Sequence, residues 1–128
     1  MRTIFYILSL FTLLSATCDN RSPTALLYTE ACINTQHHEK KIGNIDVYIK
    51  YDVENDTFPG WENFEAYDLT FATAENGTAC ERDLKFGTHW FMGRGYDPII
   101  QEWVKGRIKL EISQDRPIID TILYVGEE

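Results

Sequence analysis

The clearest alternation of apolar and polar positions covers residues 45–53. Ile45, Val47, Ile49, Tyr51 and Val53 fall on one face, and Asp46, Tyr48, Lys50 and Asp52 on the other. A period of two with one apolar face predicts a strand that covers a core on one side only. Residues 104–112 repeat the pattern, with Val104, Ile108, Leu110 and Ile112 inward and Lys105, Arg107, Lys109 and Glu111 outward. Residues 64–73 alternate through Tyr67, Leu69 and Phe71, while 26–33 and 118–125 supply a first and a last strand. Between them, Asn76-Gly77 predicts a type I′ hairpin, because both central residues of that turn need positive φ. Gly87 predicts a second reversal, and Leu84, Phe86 and Phe91 around it leave room for short strands only. Residues 36–41 read as a polar loop. Asp97-Pro98 predicts a single helical turn reaching Trp103, with Asp as N-cap and Pro at the first helical position. About seven short strands separated by turns predict an all-β chain, a single antiparallel β-sandwich.

The length of 128 residues fits one domain with a core of its own. Twenty Asp and Glu against twelve Lys and Arg give a net charge of −8, the wrong sign for nucleic acid or an anionic membrane surface. The N-terminus changes the picture more. Arg2 followed by the apolar residues 4–14 and by Ser15-Ala16-Thr17 has the layout of a signal peptide, too short to span a bilayer. The reading is a signal peptide at 1–17, a polar tether at 18–24 and one β-domain at 25–128.

Cys18 stands where cleavage would fall, and Leu14-Ser15-Ala16-Thr17-Cys18 is similar to a relaxed bacterial lipoprotein box. Three cysteines in an exported chain leave one over, so lipidation of Cys18 would leave Cys32 and Cys80 to pair. Ordinary cleavage after Ala16, with Cys18 a thiol, and two separately buried thiols at Cys32 and Cys80 are the alternatives. Asn20, Asn55 and Asn76 begin glycosylation sequons, each in a stretch read as loop or turn.

Candidate chemistry is sparse. His37-His38-Glu39 holds ligand-type side chains, but neighbours in an extended chain point apart, so the reading is a solvated loop and no metal. Residues 52–56 are acidic at alternate positions, yet Thr57 stands where a calcium loop of the EF-hand type needs Gly and Asn63 where it needs Glu. No serine lies in a nucleophile elbow. A small envelope hydrolase built on His89 with Asp68, Asp97 or another acid brought near it by the fold is one alternative function. The other is an aromatic binding surface for a protein or glycan from Phe58, Trp61, Trp90 and Met92, with Trp90 and Met92 expected outward if His89 and Phe91 face the core. Against it, Trp61 and Trp103 would cap the ends of a sandwich and Trp90 would pack on a neighbouring strand.

The run Thr73, Asn76, Gly77, Leu84, Gly87, Phe91, Gly95 and Tyr96, with residues 41–49 upstream and 119–123 downstream, resembles the carboxypeptidase regulatory-like and Cna B-type domains, which share the transthyretin-like β-sandwich. The resemblance extends over residues 25–126. It implies a non-enzymatic binding or scaffold module without a cofactor. Hydroxyisourate hydrolases of the same fold end in Tyr-Arg-Gly-Ser, whereas this chain ends Val125-Gly126-Glu127-Glu128, so that activity is not carried over. The overall expectation is an exported, lipid-anchored, non-enzymatic β-sandwich.

Overall fold

The computed structural model describes residues 28–53 and 57–128. The signal-peptide and tether readings, Cys18, Asn20 and Asn55 lie outside the described residues. The strands are β1 (Glu30–His37), β2 (Lys40–Lys41), β3 (Asp46–Lys50), β4 (Leu69–Ala72), β5 (Thr78–Arg82), β6 (Gly87–Asp97), β7 (Glu102–Ile112), β8 (Ile118–Tyr124) and β9 (Gly126–Glu127). Seven of these have four or more residues, the number that the turn spacing predicts. They form two sheets, β4-β3-β6-β7-β9 and a second in which β1 pairs with β2, β5 and β8. All pairs are antiparallel except β1 with β8, which run parallel from Glu30 opposite Ile118 to Gln36 opposite Tyr124. A parallel neighbour cannot be reached by a hairpin, so the first and last long strands meet only because the whole chain lies between them.

The core lies between the sheets. Ala31 and Ile33 of β1, Val47 and Ile49 of β3, Phe91 of β6, Val104 and Ile112 of β7 and Ile119 and Leu123 of β8 are all buried. The alternation predicted for 45–53 and 104–112 is thus the division between core and outer face. Small residues let the two layers approach. A Cβ built on Gly106 would stand 1.9 Å from the Tyr124 carbonyl oxygen, and one on Gly93 2.7 Å from Leu123 Cδ2. Buried hydroxyls find partners: Thr29 donates to the Leu84 carbonyl at 2.6 Å, and Thr73 Oγ1 accepts from Ile45 N–H at 3.0 Å.

Four local expectations are corrected. Residues 36–41 are not an open loop: β1 runs to His37 and turns back into β2 through His38-Glu39, whose φ values of 46° and 63° are those of a type I′ turn. Asn76-Gly77 is not such a turn. Only Gly77 has positive φ, Gly77 N–H bonds Ala74 O at 2.9 Å, and the Asn76 side chain accepts from Thr78 N–H. The reason is topological, since β4 and β5 belong to different sheets and the connection must arch over the core rather than fold a hairpin. Asp97-Pro98 starts no helix either, because β6 and β7 pair to Asp97 opposite Glu102 and leave a four-residue connection closed at Gln101 with φ 59°. Finally, residues 64–66 form a 3-10 turn and only Leu69–Ala72 is strand, so Tyr67 leaves the core pattern for the outer face.

Candidate functional site

The outer face of the five-stranded sheet is set by register. Asp46, Arg94 and Lys105 form one cross-strand row, Tyr48, Met92 and Arg107 the next, and Lys50, Trp90 and Lys109 a third. Ten of the twelve Lys and Arg fall within the described residues, Arg2 and Arg21 lying outside, and five of these ten stand in those rows. Lys50 pairs with Asp68 at 3.4 Å and Arg94 with Glu128 at 2.7 Å, so on a chain of net charge −8 the positive charge of this face gathers at Lys105, Arg107 and Lys109.

The connection before β4 folds over this face and brings its aromatics with it. Phe58 packs edge-on against Trp61, at 4.9 Å between centroids, and against Trp90 at 5.6 Å. Arg107 lies over all three rings, 4.3 Å from Phe58, 4.9 Å from Trp90 and 5.8 Å from Trp61. Lys105 stands 4.9 Å over Trp61 and Lys109 5.3 Å over Trp90. Such cation–aromatic contacts stabilise by about 0.5–1 kcal/mol each at exposed sites. Next to them Tyr48 packs on Phe64 and Tyr67, and the Tyr67 hydroxyl donates to Gly60 O at 2.7 Å. Burial pushes the Tyr67 phenol up to about 12, with Arg107 pulling weakly the other way.

The four residues expected on a binding surface therefore separate. Phe58, Trp61 and Trp90 converge and are each half-buried, but Met92 is fully buried, contrary to expectation. It does point to the outer face; the aromatic connection covers that face at its row. Trp61 lies on this face and not at an end of the sandwich, while Trp103 is half-exposed and packs on Tyr96. Trp90 Nε1 is buried with no hydrogen-bond partner among the described residues.

His89 is fully buried. Its Nδ1 accepts from Asp52 N–H at 3.0 Å and its Nε2 lies 2.7 Å from the Lys85 carbonyl, an arrangement that places the proton on Nε2. Both nitrogens thus fix backbone at the mouth of β6, and among the described residues neither is bonded to an acid. Asp68 instead accepts from Tyr51 N–H at 2.8 Å and pairs with Lys50 at 3.4 Å. Asp97 pairs elsewhere too, so neither Asp68 nor Asp97 joins His89.

Asp97 meets His37. The Asp97 Oδ2 to His37 Nδ1 distance is 2.7 Å with both side chains buried, and Asp97 Oδ1 accepts from Ile99 N–H at 2.9 Å. The His37 bond and these backbone donors hold the Asp97 carboxyl below its ordinary value, against the opposing effect of burial. The β1–β2 turn folds His38 back so that the two imidazole centroids stand 4.1 Å apart, and β9 carries Glu127 to within 2.8 Å of His38 Nε2 and 3.5 Å of His37 Nε2. Beside the pair lies a cleft of about 400 Å³, walled by Tyr96, Pro98, Ile99 and Ile100 and containing no Ser, Thr or Cys among its described lining.

No family model matches the chain, and no curated protein matches it in sequence. The fold does have a solved likeness. The chain is similar to the major pilin subunit BcpA of Bacillus cereus. The match has a TM-score of 0.53 at 10% identity and covers 79% of this chain but 30% of the pilin, so the chain corresponds to under a third of that protein's length. It supports the β-sandwich directly.

Cys32 and Cys80 face each other across β1 and β5 and are joined by a disulfide. Sequence reasoning named this pair and the three converging aromatics. It missed Arg107 as their hub, because only strand register puts that side chain between rings from a distant connection. It also missed the joining of His37 to Asp97 and Glu127, for which the chain carries no local signal.

Proposed function

We propose that this protein is a non-enzymatic β-sandwich of the transthyretin-like, Cna B-type group, exported to the cell surface or beyond, that acts as a binding or scaffold module. The Cys32–Cys80 disulfide suits an oxidising, extracytoplasmic location, and the Cys18 lipid anchor belongs to the same reading. The observation that carries the binding role is the outer face of the five-stranded sheet, where Phe58, Trp61 and Trp90 interleave with Lys105, Arg107 and Lys109 on an otherwise acidic chain. Aromatic and arginine side chains gathered in one patch are the residue types that dominate binding energy at interfaces. Their basic surroundings select an anionic partner, an acidic protein surface or an acidic glycan, by charge complementarity. The rings meet edge-on and under cations rather than forming a flat platform, which favours a protein over a sugar ring.

The test is retention of the full chain on immobilised acidic peptides and on anionic polysaccharide, at low and at raised salt. Binding that weakens with salt and falls at least about tenfold in Arg107→Glu and in Trp61→Ala, with the circular dichroism spectrum unchanged, supports the proposal. Absence of retention on both supports at low salt, or retention indifferent to both substitutions, refutes it.

A further inference from the structure

We propose that His37, His38 and Glu127 form a binding site for a divalent transition-metal ion of the zinc class, with Asp97 orienting His37. One ligand atom from each of the three lies within 4.8 Å of the others. His37 Nε2 stands 3.5 Å and His38 Nε2 2.8 Å from the same Glu127 carboxylate oxygen. Ligand atoms about 2.1 Å from a tetrahedral zinc are separated by about 3.4 Å, so the two existing distances straddle the one that an ion requires. The ion would take the place of the His38–Glu127 hydrogen bond.

The independent sign of a ligand is the state of His37. Its side chain is 5% exposed, its Nε2 is buried, and that atom has no hydrogen-bond partner among the described residues. A buried polar nitrogen left without a partner is costly, which is why such groups usually have one. Meanwhile Nδ1 is held at 2.7 Å by Asp97, whose ionised carboxylate can only accept. Nδ1 therefore donates to Asp97, and Nε2 is turned toward His38 and Glu127. A carboxylate behind one imidazole nitrogen, with the other nitrogen presented forward, is how proteins orient metal-ligating histidines. Asp97 is in turn fixed by Ile99 N–H at 2.9 Å.

The backbone supports the same conclusion. His38 and Glu39 both occupy the left-handed region, at φ 46° and 63°, as the central residues of the β1–β2 turn. That conformation turns His38 beside His37, which an extended chain would not do. His38 and Glu127 have side chains 66% and 43% exposed, so an ion can enter from solvent and retain water as a further ligand. Two imidazoles and a single carboxylate suit zinc and its neighbours, whereas calcium and magnesium want mainly oxygen. The other cluster of ligand-type residues, Glu30 with Cys32 and Cys80, has its sulfurs joined to each other and offers no thiolate.

The full chain, treated with chelator and desalted, is titrated with Zn²⁺ by calorimetry and with Co²⁺ by visible absorption. The expected result is one equivalent bound, with the intense bands of four-coordinate cobalt. His38→Ala and Glu127→Gln alter exposed side chains and leave the fold intact, yet each removes the saturable equivalent. Asp97→Asn, a positioning change, weakens affinity by about 10–100-fold while the cobalt spectrum keeps its four-coordinate form. No saturable binding of Zn²⁺ up to roughly 1 mM overturns the proposal. So does binding that His38→Ala and Glu127→Gln leave unchanged, for the ion would then sit elsewhere.

Discussion

Removing the Cys32–Cys80 bridge should cost a large fraction of a small domain's stability margin without changing its native packing. The two cysteines are 48 residues apart in sequence, and the segment between them contains β2, β3 and β4, so it leaves one sheet, builds the edge of the other and returns. Cross-linking a segment of that length removes unfolded-state entropy equivalent to about 4 kcal/mol at 25 °C in the chain-entropy model. Cys32 is half-buried and Cys80 exposed, so replacing both with Ala removes little packing. The effect thus resides in the unfolded chain. Against a total of about 5–15 kcal/mol, the double variant should remain folded but melt roughly 15–30 °C lower. Urea unfolding adds a second reading, because an unlinked chain expands further and exposes more surface. The midpoint should fall and the slope of free energy against urea should rise. Calorimetry and urea titration of Cys32→Ala/Cys80→Ala, beside the parent with and without reductant, decide it. A change under about 1 kcal/mol, with an unchanged slope, would refute the entropic account.

Other consequences follow from packing and charge. Gly106→Ala should destabilise by about 1–3 kcal/mol or more, because the new Cβ would meet the Tyr124 carbonyl at 1.9 Å and backbone must shift; a melting temperature equal to the parent's contradicts this. Phe91→Ala, at a fully buried position, should cost about 3–5 kcal/mol in urea unfolding, and a loss below about 1 kcal/mol would place the core elsewhere. The Glu127 carboxyl is lowered from 4.5 to about 2 by its own backbone N–H and by the two histidines, and Asp97 is lowered chiefly by His37. Folded values below the unfolded ones mean that both groups add stability above the unfolded pKa; that of Glu127 is lost as pH falls from about 4.5 toward about 2, and that of Asp97 as pH falls below its ordinary range. Melting curves between neutral pH and the acid limit should show a decline that is shallower in Asp97→Asn; parallel declines in parent and variant would count against the pair.

Period and punctuation along the chain were enough to set the fold class. The alternation at 45–53 and 104–112 follows from the two-residue repeat of a strand, a local property that survives any tertiary arrangement. The pairing of Cys32 with Cys80 was named from the count of three cysteines and the anchor expected at Cys18, with two buried thiols as the alternative, and the disulfide is present. Turn geometry was less legible. Asn76-Gly77 has the composition of a hairpin turn, but the sheet membership of β4 and β5 requires an arch, while the real type I′ turn falls on His38-Glu39, a pair with no such preference. Local propensity there is worth about 1 kcal/mol per residue and yields to the long-range pairing around it. The chemistry depended on distance in sequence still more. Arg107 reaches Phe58, Trp61 and Trp90 through the β6–β7 register, and His37 at the end of β1 reaches Asp97 at the end of β6 and Glu127 in β9, both strands of the opposite sheet. A sequence records which side chains are available. Closing the sandwich decides which of them share a few ångströms, because that depends on contacts sixty to ninety residues apart.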